Sequence, residues 1–248
     1  MSLLLLFPLN SSAEDYTLDG ACVWAAYFDE TSGDLIDQCG SNDGTLVNTP
    51  TQGVPGKFGT AYNFIRSGGD EHIAMGDVTF YDGIDTVSWG WWMKTATDWS
   101  SYTAVEIIRK DGTANIQANH KSDLNRMIGW TTSRLDHNVS TANYPTAGYW
   151  FHQDDAWHHY WYTYDGAKRK AYRDCTQVGS DLNDTGNFAN SANGFYICSD
   201  AAGKSCDDVD VDDTIIFNTA KSLTVCNDLM DNGITPVAPA SRRRMFIQ

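Results

Sequence analysis

The chain has 248 residues, enough for a substantial core, and all-β sandwiches of roughly 200–250 residues commonly form one domain. Its 32 Asp plus Glu against 17 Lys plus Arg give a formal charge of −15, which repels a phosphate backbone or an anionic membrane over most of the surface. Nucleic acid is therefore excluded as an expected partner, whereas clustered carboxylates suit a hard divalent cation. Nine Trp and twelve Tyr favour pleated sheets over helices. No segment approaches the roughly 20 apolar residues needed for a membrane span.

In chain order, the first 15 residues imitate a secretory leader. An apolar run, Leu3, Leu4, Leu5, Leu6 and Phe7, precedes small residues at Ser11, Ser12 and Ala13, but a positive n-region is lacking. We read residues 1–20 as a docking segment. Strand-length apolar runs punctuated by Gly, Asn and Asp follow at 21–28, 61–64, 86–94, 104–109, 127–131, 158–164, 168–174, 194–198 and 212–218. One short helix is expected at 223–230, with Ser222 as N-cap and Gly233 beyond its end. Residues 235–248 read as an extended tail whose Arg242, Arg243, Arg244, Met245, Phe246 and Ile247 form a basic, then apolar, docking tag.

Six cysteines, Cys22, Cys39, Cys175, Cys198, Cys206 and Cys226, lack the CxxC spacing of a zinc site and suit disulfides formed outside a reducing cytosol. They allow 15 connectivities. Cys198 and Cys206, separated by a short turn-like stretch, are the expected pair. Period-two alternation sends Tyr160, Tyr162 and Tyr164 to one face of their strand and His159, Trp161 and Thr163 to the other. In the strand at 86–94, Trp89 and Trp91 likewise oppose Trp92. Trp92, His159 and Trp161 then share the non-core face, as a platform for a sugar or protein partner unless loops cover them.

Several motifs follow one another in a recognisable order. They are Val23-Trp24-Ala25-Ala26-Tyr27-Phe28-Asp29, Asn42-Asp43-Gly44-Thr45-Leu46, Gly56-Lys57-Phe58-Gly59-Thr60-Ala61-Tyr62, Val87-Ser88-Trp89-Gly90-Trp91-Trp92, Trp157-His158-His159 leading to Asp165-Gly166, and Val211-Asp212-Asp213-Thr214-Ile215. Together they resemble the laminin G-like and concanavalin A-like jelly-roll superfamily over residues 21–234. The resemblance implies an all-β, two-sheet antiparallel jelly-roll sandwich with one short helix near the C-terminus. It also implies a structural Ca2+ at the junction of first and last strands, drawing on Asp29, Asn42, Asp43, Asp212 and Asp213, with a solvated acidic edge as the alternative. Two cysteines depart from the family pattern: Cys175 stands where a turn glycine is usual, and Cys198 replaces a small residue.

Catalysis is not expected. The related glucanases carry a Glu-x-Asp-x-x-Glu strand that pairs two carboxylates for glycoside hydrolysis, and this sequence has none; nor has it a Gly-x-Ser-x-Gly nucleophile turn. The expected function is display or adhesion on a large assembly, with a virus or phage virion favoured, other subunits and copies of the chain as partners, and glycan as ligand. A secreted carbohydrate-binding module is the alternative, and a glycan-cleaving enzyme the third reading. Either leading setting is extracellular or on a virion surface. Asn10, Asn138 and Asn183 lie in glycosylation sequons.

Overall fold

A computed structural model describes residues 14–66, 69–80, 82–97, 104–110, 116–121, 124–129, 136–138, 154–183, 185–188, 190, 192–199 and 206–234. The docking segments expected at Leu3–Leu6 with Phe7 and at Arg242 to Ile247 lie outside these residues. Among the described residues, fifteen strands form two antiparallel sheets. They are β1 (Cys22–Ala26), β2 (Thr45–Val47), β3 (Thr51–Pro55), β4 (Thr60–Phe64), β5 (His72–Asp77), β6 (Val87–Lys94), β7 (Ala104–Lys110), β8 (Ile116–Lys121), β9 (Leu124–Gly129), β10 (Asp136–Asn138), β11 (His158–Tyr164), β12 (Lys168–Arg173), β13 (Thr176–Asn183), β14 (Gly194–Ile197) and β15 (Val209–Phe217). One α-helix among the described residues, α1 (Leu223–Asn232), follows.

One sheet runs β13-β12-β11-β6-β15-β4-β3 with β1 also on β15; the other runs β10-β9-β8-β7-β14-β5-β2. The architecture is the expected jelly-roll sandwich. Alternation fills the space between the sheets: Trp89, Trp91, Tyr160, Tyr162 and Tyr164 are all buried in the main core. Trp91 stacks on Tyr160 at 5.5 Å, and Trp89 meets Tyr162 edge-on at the same distance.

The opposite face of the larger sheet is covered as well. Helix α1 lays Cys226 and Leu229 against Ala25, Trp161, Ile215 and Phe217, with Tyr16 and Ile234 completing this second core. Gly233, at φ +78°, ends the helix by donating its N–H to the Leu229 carbonyl at 3.0 Å. Nearby, the Tyr16 N–H donates to the Ile234 carbonyl at 3.1 Å, and the Tyr16 hydroxyl donates to Asp228 at 2.8 Å. The chain thus enters and leaves the sandwich at one place.

All six cysteines are paired, as Cys22–Cys39, Cys175–Cys226 and Cys198–Cys206. The last is the expected pair. Cys175–Cys226 fastens the β12–β13 turn to α1 across 51 residues, a loop length worth about 4 kcal/mol in the chain-entropy account.

Candidate functional site

A bulge in β15 builds the carboxylate site. Val209 and Val211 face the main core, and strict alternation would next place residue 213 there; instead Ile216 faces in and Ile215 faces α1. One extra residue between Asp212 and Ile215, opposite Trp92 and Gly90 of β6, shifts the phase, with Asp213 at φ +37°. On the other edge of β15, β4 pairs with 209–211 and β1 with 214–217. The two aspartates therefore sit where β1 and β4 meet end to end.

The turn entering β4 closes over this gap. Asp212 Oδ2 accepts the N–H groups of Lys57 at 2.7 Å and Phe58 at 3.0 Å, while its Oδ1 accepts the Asp213 N–H at 2.8 Å. Asp29, three residues beyond β1, accepts through Oδ1 from the Thr60 N–H at 2.7 Å and the Thr60 hydroxyl at 3.1 Å. Asp213 Oδ2 accepts the Ile234 N–H at 3.1 Å. Glycine is required beside these groups, since a Cβ on Gly59 would lie 2.3 Å from Asp29 Oδ1 and one on Gly233 2.6 Å from Asp213 Oδ2.

Asp212 is fully buried and Asp213 nearly so. Burial, then the neighbouring Asp213 charge, raises the Asp212 carboxyl into the neutral range against three backbone donors. Burial also raises Asp213, opposed by the Ile234 N–H and reinforced by Asp29. Asp29 Oδ2 and Asp213 Oδ1 meet no protein donor among the described residues. Surplus negative charge, hard oxygen donors and two uncommitted oxygens fit a calcium ion. We propose that Asp29 and Asp213 would hold it, with Asp212 fixing the turn, and the ion would supply the positive charge that no side chain among the described residues brings.

Asn42 and Asp43 belong to a different arrangement. Asp43 Oδ1 accepts the Asp37 N–H at 2.8 Å, and the Asn42 N–H and carbonyl engage Asp37 Oδ2 and the Trp24 indole N–H. Asp37 is 6% exposed and also accepts from Ala25 at 3.3 Å and Cys39 at 3.0 Å. These residues organise the 35–44 loop beneath the Cys22–Cys39 bridge, and no hydrogen bond joins them to Asp29 or Asp213. Asp37 is not singled out by the sequence; its partners Ala25, Cys39, Asn42 and Asp43 lie on both sides of it in the chain.

The expected platform forms, but under cover. His159 lies between Trp92 at 5.3 Å and Trp161 at 6.2 Å, and the three side chains are 1%, 3% and 0% exposed, respectively. Phe58 packs edge-on to Trp92 at 6.0 Å, Lys57 Nζ stands 4.3 Å over its ring, and α1 covers Trp161. All three are buried away from a sugar, and Trp161 belongs to the second core under α1. Burial pushes the His159 imidazole down to about 3, so it is neutral.

Next to it, the β12–β13 hairpin turns on Asp174 and Cys175, both at positive φ, between the paired residues Arg173 and Thr176. Such a turn ordinarily takes Asn-Gly. Here Asp174 Oδ1 accepts the His159 N–H at 3.0 Å and Oδ2 pairs with His158 Nδ1 at 2.7 Å. Although burial opposes it, those bonds hold Asp174 below the ordinary carboxylate range. The Asp174 bond, against burial, raises His158 above its usual value, with Asp154 adding to it. A raised histidine stabilises fully below its unfolded value of about 6.5, and that contribution is lost as pH rises through the folded value. Asp174→Ala should cost about 1–3 kcal/mol through the orphaned His159 N–H. His158→Gln should instead remove the pH-dependent part, so denaturation curves of wild type and variant converge above neutrality. A constant gap from pH 5 to 9 would show that the pair contributes no linkage.

The fold is a jelly-roll β-sandwich whose larger sheet carries α1 on its outer face. No known protein family matches the sequence, and no curated protein does. Solved structures do share the fold. The binding domain of Paraclostridial Mosquitocidal Protein 1 is 12% identical with a TM-score of 0.65, over 85% of this chain and 52% of that one. The receptor binding domain of botulinum neurotoxin D is 13% identical with a TM-score of 0.62, over 85% and 52%. Domain 4 of AbnA, a GH43 extracellular arabinanase from Geobacillus stearothermophilus in complex with arabinotriose, is 16% identical with a TM-score of 0.60, over 84% and 98%. The chain therefore spans about half the length of the toxin binding domains, and at these identities the likeness is one of fold.

Proposed function

We propose that the chain is a non-catalytic, lectin-like binding module held in a larger extracellular assembly by its two ends, with a virion surface as the favoured setting. The observation that carries this reading is the Tyr16–Ile234 hydrogen bond of 3.1 Å, which brings the entry and exit of the sandwich together and leaves the remaining rim for a ligand. Three disulfides support an oxidising compartment. No helix among the described residues is long and apolar enough to cross a membrane. The binding-domain descriptions of the toxin neighbours support recognition rather than chemistry, and the arabinotriose complex of the AbnA domain supports glycan as the ligand class. That domain is matched over 98% of its length, which favours a secreted carbohydrate-binding module as the second reading.

With Trp92, His159 and Trp161 buried, ligand contacts fall to the rim at the start of β11. There Trp157 is partly exposed and lies 5.6 Å from Lys94 Nζ; Lys94 pairs with Asp210 at 2.9 Å, and Asn63 donates to Asp210 at 2.8 Å. An aromatic face beside a polar, charged cluster matches what a sugar presents, apolar ring C–H groups flanked by hydroxyls. A glycan array should show binding by the recombinant chain that weakens about tenfold in Trp157→Ala, the equivalent of about 1.4 kcal/mol. A polysaccharide panel should release no reducing ends. Hydrolysis abolished by one carboxylate substitution would overturn the non-catalytic reading, and glycan binding untouched by Trp157→Ala would remove the rim from it.

A further inference from the structure

A second group of metal-competent donors lies under α1, where His159 Nδ1 is 3.8 Å from Cys175 Sγ and 3.7 Å from Cys226 Sγ. All three residues are buried, and their donor atoms lie within 4.8 Å of one another. No other hydrogen-bonding group meets that nitrogen among the described residues. Each donor comes from a separately anchored element. His159 is held in β11 opposite Trp92; its carbonyl accepts the Asp174 N–H, and its own N–H donates to the Asp174 carboxylate. Cys175 sits in a two-residue turn closed by the Arg173–Thr176 pair. Cys226 rides on α1, which Tyr16, Asp213 and Ile234 tie to the sandwich. The three positions are therefore defined without the bond between the sulfurs.

We propose that reductive opening of Cys175–Cys226 converts this cluster into a zinc site composed of two thiolates and the His159 imidazole. A dithiol gives the disulfide two electrons and two protons and is itself oxidised to a disulfide; a phosphine gives the two electrons and takes up the oxygen of a water molecule, whose two protons complete the two thiols. Zinc then displaces one proton from each thiol. Bond lengths of about 2.3 Å to sulfur and 2.0–2.1 Å to nitrogen require donors at roughly the spacing seen between the imidazole and each sulfur. Charge agrees with place, because a dication, two thiolates and a neutral imidazole sum to zero in a water-poor interior where an unbalanced charge is costly. Three protein ligands leave a fourth position for water. Reoxidation by a disulfide oxidant returns two electrons from the thiolates and expels the ion.

The test uses the full chain, reduced by a phosphine, freed of metal and titrated with cobalt as a spectroscopic stand-in for zinc. The reduced chain should develop thiolate-to-cobalt charge-transfer absorption that saturates at a single equivalent, while the oxidised chain, whose carboxylates remain available, should not. Cys175→Ala/Cys226→Ala keeps four other cysteines and should lose the band. A second measurement needs no variant: zinc should slow alkylation of Cys175 and Cys226 in the reduced wild-type chain by about tenfold or more, without protecting the other four. A band that persists in the double variant, alkylation of the two cysteines at the same rate with and without zinc, or unfolding on reduction that zinc does not reverse would each overturn the proposal.

Discussion

Asp213→Asn should raise the melting temperature of the metal-free protein at pH 8 and abolish its response to calcium. Asp212 and Asp213 are adjacent, buried and without a cationic partner among the described residues, and burial raises both carboxyls above the ordinary range near pH 4. In the unfolded chain both ionise near pH 4, so from there up to about pH 8 the native state holds more protons. Stability in the absence of metal must fall as pH rises across that window. Above it the fold carries two buried negative charges. Asparagine at 213 removes one of them, keeps an acceptor for the Ile234 N–H and tolerates φ +37°. A gain of about 2–4 kcal/mol is expected, or roughly 5–10 °C in a domain of this size.

Calcium should have the same effect on the wild type by another route. An ion held by Asp29 and Asp213 at 100 times its dissociation constant adds about 2.7 kcal/mol. It should also flatten the pH dependence, because the carboxyls then ionise against a positive charge. Asp29→Ala should lose the calcium response without gaining metal-free stability to the same degree, since Asp29 is exposed. Scanning calorimetry of the three proteins at pH 5 and 8, with calcium and with chelator, distinguishes these outcomes. Identical wild-type melting with ion and chelator would reduce the acidic group to a buried pair of protonated acids.

How far these features were legible in the sequence follows from the range over which each is encoded. Strand β11 reads directly from its alternation, and its bounds agree with the structure, because one side is packed with tyrosines and the other with His159 and Trp161. Edge strands β3 and β13 were passed over: with sequences TQGVP and TQVGSDLN they bury little and carry no sustained alternation. Helix α1 was expected, but not its placement. Nothing in residues 223–232 says that Cys226 reaches Cys175, so the sequence leaves the face holding Trp92, His159 and Trp161 between an open platform and one covered by loops, and does not point to a helix as the cover. The Asp212–Asp213 pair was visible as a motif. Its bulge was not, since it depends on β1 and β4 sharing one edge of β15.

The ends of the chain carry the central claim. Residues 1–13 and 235–248 flank the one place where the sandwich is entered and left, marked by Tyr16 and Ile234. If Leu3, Leu4, Leu5, Leu6 and Phe7 on one side and Met245, Phe246 and Ile247 on the other dock on neighbouring subunits, each Å² of apolar surface they bury contributes on the order of 25 cal/mol before ordering costs. Arg242, Arg243 and Arg244 would then meet acidic surfaces, including those of other copies of this chain at −15. Among the described residues, both cores, the three disulfides and helix α1 lie between residues 14 and 234, so the truncated chain is expected to fold. The decisive measurement is sedimentation of native particles, or sizing of the native oligomer, reconstituted with a chain lacking residues 1–12 and 241–248. The account predicts a folded, disulfide-bonded β-domain that sediments alone and still binds glycan; incorporation at the level of the full-length chain would contradict it.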